Sequence, residues 1–194
     1  MNQLLKNREA LLAGVIIVMV AMISVVVPDF IGLGNLLAVY NDTSILIILA
    51  LGQMLVIITR CIDLSISANV ALSGMIVATL NYTYPGLNIF VIILIGAAVG
   101  TVLGMINGLL VWKLNIPSIV VTLGTMSIYR GIVFLISDGA WINAHQMSET
   151  FLSIPRSEVL GLPILSWCSV VAIAAIYYLM RHRQLGRKIY SAGN

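Results

Sequence analysis

The feature that most constrains this chain is the stretch from Leu64 to Trp112, which contains no charged side chain. A bilayer core is crossed by about 20 apolar residues, so a run of this length must fold back on itself. Tyr84-Pro85-Gly86 supplies the break, since Pro and Gly interrupt regular structure. Helices are therefore predicted over 66–83 and 88–114. The same reasoning predicts a helix over 10–27, stopped by Pro28-Asp29, and another over 36–59. A very short turn at Asn115-Ile116-Pro117 leads into a helix over 117–137. Residues 138–161 are polar and mixed and form the one sizeable loop. A last helix over 163–180 precedes the basic segment from Arg181 to Lys188. The expected fold is all-α: a polytopic transmembrane helix bundle of about six spans.

Composition agrees. Of 194 residues, 60% are hydrophobic and 9% charged, against about 25% charged in soluble domains. Mean hydropathy is +1.08. The net charge of +3 would admit a nucleic-acid partner, but the basic residues sit singly at the ends of apolar runs. Membrane topology leaves that distribution; phosphate binding does not. Lys6 and Arg8 before an apolar run imitate a signal peptide, yet the run is long and Val27-Pro28-Asp29 offers no small-residue cleavage site. It reads as an uncleaved first helix.

The Lys/Arg bias sets orientation. With the N-terminus cytoplasmic, Lys6, Arg8, Arg60, Lys113, Arg181, Arg183, Arg187 and Lys188 all fall inside. Both termini are then cytoplasmic, 138–161 is periplasmic and 181–194 is a cytoplasmic tail. Cys61 and Cys168 fall at opposite faces, which disfavours a disulfide between them.

Gly96, Gly100, Gly104 and Gly108 recur every four residues, building one smooth helix face. A helix-packing seam is the expectation, in preference to a ligand role. Ionisable groups at membrane depth are costly and each calls for a role. Arg130 lies about 20 Å, and Asp42 about 25 Å, from the inner ends of their helices at 1.5 Å per residue. They are expected either to pair, to line an outward-facing cavity together, or to snorkel independently. Asp63 and Ser65 are good helix N-caps and Arg60 an ordinary anchor; alternatively, Arg60, Asp63 and Ser65 mark a broken-helix region near a transport pathway. Asn41, Gln53, Asn69, Asn107, Thr122 and Thr125 could hold a neutral polyol weakly, or bridge helices as such residues do in any bundle.

The catalytic, metal and nucleotide motifs sought are absent. His145 and His182 lie outside the spans, and the sequence holds no His-Glu-x-x-His motif, no buried Ser-His pair, no chain of intramembrane carboxylates and no phosphate-cradling glycine loop. No catalytic residue, metal site or cofactor is expected. An intramembrane enzyme and a proton-coupled carrier are both disfavoured, and any energy source belongs to another subunit.

Ile62-Asp63-Leu64-Ser65, followed by Ala71-Leu72-Ser73-Gly74, resembles the Gly-Ile-Asp-Leu-Ser signature of bacterial ABC monosaccharide-importer permeases, the family of the ribose, galactose, autoinducer-2 and rhamnose systems. The family's Ile-Asn-Gly-Leu-Leu-Val stretch is matched at Ile106 to Val111, and its Ile-Pro-x-Ile-Val-x-Thr-Leu-Gly-Thr at Ile116 to Thr125. Tyr129-Arg130-Gly131 follows in register, as does Leu185-Gly186-Arg187 before Tyr190. Two departures are Arg60-Cys61, where the family has glycines, and Ser67-Ala68, where it has glycine after Leu-Ser-x. Asn41 to Ser44 and Gly139 to His145 look most like the rhamnose type.

The resemblance implies a permease subunit in the bacterial inner membrane. Its implied partners are a second permease subunit, a cytoplasmic ATP-binding subunit, a periplasmic sugar-binding protein and surrounding membrane lipid. It also implies that Leu185, Gly186, Arg187, Tyr190, Gly193 and Asn194 lie on the ATPase-coupling side. The family's coupling helix begins after Tyr-x-x-Gly-Asn, here Tyr190 to Asn194, so the chain is expected to be the N-terminal portion of one permease domain. The alternative is a truncated, non-transporting remnant or scaffold.

Overall fold

The computed structural model describes residues 8–193, so Lys6 and Asn194 lie outside the described residues. Helices fill the apolar stretches: α1 (Arg8–Val26), α2 (Leu33–Ile58), α3 (Ile66–Thr83), α4 (Ile89–Leu114) and α5 (Ser118–Ser137). After a mixed loop come α6 (Glu149–Ser153), the strands β1 (Glu158–Val159) and β2 (Leu162–Pro163), α7 (Ile164–His182) and α8 (Gln184–Ala192). Among the described residues, four helices, α2, α4, α5 and α7, are long and apolar enough to cross a membrane. The chain is a multi-pass membrane protein. The apolar part of α1, Ala10–Val26, is shorter, and α3 carries more polar residues.

Two compact units are distinguished, residues 1–44 and 45–194. In the first, Pro28–Ile31 form a single 3-10 turn in which Pro28 opens the turn and the Gly32 N–H closes on Asp29 O. In the second, α3 is the central element and packs mainly against α4 and α5. Its core is Ala68, Leu72, Leu103 and Tyr129, with the Tyr129 hydroxyl donating to Leu103 O at 2.9 Å. Polar side chains are enclosed here (Ser65, Asn81, Asn107, Thr122, Thr125), while Ile93, Leu94, Leu135 and many other large apolar ones face outward. That is the reverse of a soluble domain, because lipid receives apolar surface without cost while polar groups gain from bridging helices.

Turns are set by local chemistry. The Asn88 side chain caps α4 by accepting from Phe90 N, and Asn115 ends it in the left-handed region at φ 52°. The segment expected to be the one sizeable loop holds short helices and part of a hairpin. Leu160 and Gly161, both at positive φ, form the two-residue turn that pairs Val159 with Leu162. Asn81 clips this segment to the end of α3, donating to Ser148 Oγ and accepting from Ser148 N, each at 2.8 Å.

The basic tail is also structured. Arg183 is extended, and α8 turns back against the end of α7. Gly186 permits this: a Cβ there would lie 2.6 Å from both Leu179 O and Met180 Cα. At the other end of α8, a Cβ on Gly193 would collide with Ile58 O, the last carbonyl of α2.

Candidate functional site

The loop between α2 and α3 is the most constrained segment of the larger unit. Helix α2 ends with Arg60 N–H bonded to Ile57 O and Cys61 N–H to Val56 O, the paired closure that needs a left-handed residue after the helix. Arg60 is that residue, at φ 59°. Glycine is favoured in this conformation, so an arginine holds it at a cost. Asp63 then folds over the start of α3. Its Oδ1 accepts from Ser65 N at 2.8 Å and from Ser65 Oγ at 2.7 Å. Ser65 is the N-cap residue by position, but its hydroxyl makes no cap hydrogen bond. It instead accepts from Asn107 Nδ2 of α4 at 2.7 Å.

Helix α5 joins the cluster from the other side. Ser118 Oγ accepts from Ile62 N at 3.1 Å, and Thr122 Oγ1 donates to Ser118 O at 2.8 Å and weakly to Ile62 O at 3.3 Å. Thr125 is buried one turn on and donates to Thr122 O. Three motifs far apart in the chain, Ile62 to Ser65, Ile106 to Val111 and Ile116 to Thr125, thus meet at one place. Beside them lies a cavity of about 240 Å³ lined by Asp63, Asn107, Ser118 and Thr122 and by the bare faces of Gly104 and Gly108. Asn107 is 5% exposed and its Oδ1 has no hydrogen-bond partner.

The four-glycine face is two things. Gly96 and Gly100 are a packing seam: a Cβ on Gly96 would stand 2.8 Å from Val77 Cγ2, and one on Gly100 3.4 Å from Ser73 Oγ. Asn69 secures the seam, donating to Gly100 O at 3.2 Å and accepting from Ser73 Oγ at 3.1 Å. A Cβ on Gly104 or Gly108 would meet nothing within 4 Å. At that level α3 has not yet begun: it starts at Ile66, level with Asn107, and the α2–α3 loop lies further along α4.

The remaining expected residues lie on α2, α5 and α8. Gln53 is half-buried on α2 with Oε1 unpartnered. Arg130 is exposed on α5; Asn41 is half-buried and Asp42 exposed in the unit of residues 1–44. On α8, Leu185, Arg187 and Tyr190 are exposed and Gly186 buried. Cys61 and Cys168 are free thiols. Sequence reasoning missed the joining role of Ser118; its position next to Pro117 at a helix start was the available signal.

Enclosed polar bridges thus join apolar helices around a cavity at a broken connection, as in a multi-pass helical membrane protein. Residues 35–194 match the family described as branched-chain amino acid transport system / permease component, and the chain belongs to that family. It is 34% identical over 180 residues to the ribose import permease protein RbsC of Haemophilus influenzae, covering 92% of this chain and 55% of that protein. It is 34% identical over 189 residues to the autoinducer 2 import system permease protein LsrC of Photorhabdus luminescens, covering 97% and 56%. The corresponding protein of Klebsiella pneumoniae is 34% identical over 195 residues, covering 100% and 55%. The chain thus spans about half the length of these relatives. No solved structure matches it.

Proposed function

We propose that this chain is part of the permease subunit of an ATP-driven importer that carries a monosaccharide across the bacterial inner membrane. The observation that carries the reading is the meeting of the three signature motifs beside one cavity, in a chain whose relatives are named as ribose and autoinducer-2 import permeases. The permease supplies a pathway and no covalent chemistry. A cytoplasmic ATP-binding subunit supplies energy, a periplasmic sugar-binding protein delivers substrate, and a second permease subunit completes the pathway. Both termini are cytoplasmic and the spans number about six. Gln53, Asn69, Asn107, Thr122 and Thr125 belong to the pathway side of the bundle, with Asn41, Asp42 and Arg130 nearer its outer part; α8 faces the ATPase. Rhamnose is the proposed sugar, from Asn41 to Ser44 and Gly139 to His145.

A second reading, an amino-acid substrate, is favoured by the description of the matched family. Uptake of labelled L-rhamnose, D-ribose, D-galactose and L-leucine decides. The assay uses cells that lack the native permease, retain its partners and express the full reading frame. Uptake of one sugar supports the proposal; uptake of leucine alone, or of none with the protein inserted, refutes it.

A further inference from the structure

The elbow between α7 and α8 gathers positive charge with no acidic neighbour in sequence. Arg181, His182, Arg183, Arg187 and Lys188 follow one another closely, and no Asp or Glu occurs after Glu158. Two of the arginines are held against α7 by its tyrosines. Arg181 Cζ stands 5.8 Å from the centre of the Tyr177 ring, and Arg183 Cζ 5.2 Å from that of Tyr178, on which His182 also stacks at 5.3 Å. Stacking engages the flat face of a guanidinium and leaves its in-plane N–H groups available to an anion.

Gly186 lets α8 fold back, and the two helices flank a groove of about 770 Å³. Tyr178, His182, Arg183 and Arg187 line it, with no Asp or Glu among the lining residues. Ala175 and Leu179 line it too, and with Tyr178 and His182 they make one stripe of α7 at helical spacing. Ala175 is about 10 Å from His182 along the helix at 1.5 Å per residue, inside a segment apolar enough to cross a membrane. The groove is therefore basic at the helix end and apolar along the span.

A free phosphate ester would satisfy the cations and leave the apolar wall unused. An acidic protein segment would do the same, because it does not follow α7 into hydrocarbon. We propose that the α7–α8 groove binds one anionic phospholipid, its phosphodiester accepting hydrogen bonds from Arg183 and Arg187 and an acyl chain lying along Leu179 and Ala175. Resting on the orientation proposed above, this lipid belongs to the cytoplasmic leaflet, whose surface is negative.

The test titrates phosphatidylglycerol into the detergent-solubilised full-length permease, with and without its ATP-binding subunit, and reads binding by native mass spectrometry. Phosphatidylcholine and glycerol 3-phosphate are the controls. Phosphatidylglycerol should bind in preference to both. Arg183→Gln should weaken it about tenfold, the effect of one charge-assisted hydrogen bond. Ala175→Trp, at an exposed position, fills the apolar end and keeps every charge; it should weaken binding several-fold. Lys113→Gln, at the end of α4, should leave it unchanged. An equal loss in Lys113→Gln shows general attraction to basic surface and overturns the site, as does an unaffected Arg183→Gln or Ala175→Trp. Glycerol 3-phosphate competing as well as the lipid makes this an anion site without a lipid. No preferential binding by the full-length permease, or its loss when the ATP-binding subunit is added, assigns the groove to protein and overturns the proposal. The permease reading stands or falls separately on uptake, since lipid binding is read without substrate.

Discussion

Asn107 of α4 and Ser65, the residue before α3, are 42 residues apart and joined by a buried 2.7 Å hydrogen bond from amide to hydroxyl. The same hydroxyl donates to Asp63, so one small side chain holds the α2–α3 loop to α4. Ser65→Ala removes both links and strands the Asn107 amide. The expected cost is about 1–2 kcal/mol, read as a lower midpoint of thermal unfolding in nanodiscs. An unchanged midpoint would show that the hydroxyl is dispensable to the fold.

Arg60 occupies a conformation that costs an L-residue about 1 kcal/mol or more. Arg60→Gly is expected to stabilise the chain by about 1 kcal/mol, whereas Arg60→Ala, which removes the same charge, is not. Unfolding measurements on the pair separate backbone strain from charge.

The glycine face should respond unevenly. Val77 is β-branched and stiff within its helix, so Gly96→Ala pushes α3 and α4 apart. Gly104→Ala meets open space. The second variant is expected to be more stable than the first by about 1–3 kcal/mol; equal stabilities would restore a uniform seam.

A Cβ at Gly186 meets backbone atoms of Leu179 and Met180, which cannot rotate aside. Gly186→Ala should detach α8 from α7 at a cost of about 2 kcal/mol, seen as faster tryptic cleavage at Arg183 and Arg187. Cleavage at the wild-type rate would mean that α8 tolerates the extra atom.

The two free cysteines report orientation. With both termini cytoplasmic, a membrane-impermeant maleimide should reach Cys168 from outside in intact cells and Cys61 only in inside-out vesicles. The opposite pattern would invert the proposed topology.

The positions of the long helices were legible because a hydrocarbon core demands continuous apolar runs and because Pro28, Pro85 and Pro117 punctuate them. Polar residues with several possible partners were not. Ser65 reads locally as a cap, and only the approach of Asn107 from another helix turns its hydroxyl elsewhere. The fourfold glycine spacing likewise says nothing about where the facing helix begins, which divides the seam. The segment from Arg181 to Lys188 reads as a charged tail because charge dominates its composition; the cue to a folded-back helix was Gly186, whose missing side chain matters only once α7 is beside it.

Gly193 sits against the last carbonyl of α2 with no side chain between them. Flexible side chains at a joint act as springs, absorbing displacement by rotating. Here main chain bears directly on main chain, and the backbone it meets leads straight into the turn through Arg60 and on to Asp63.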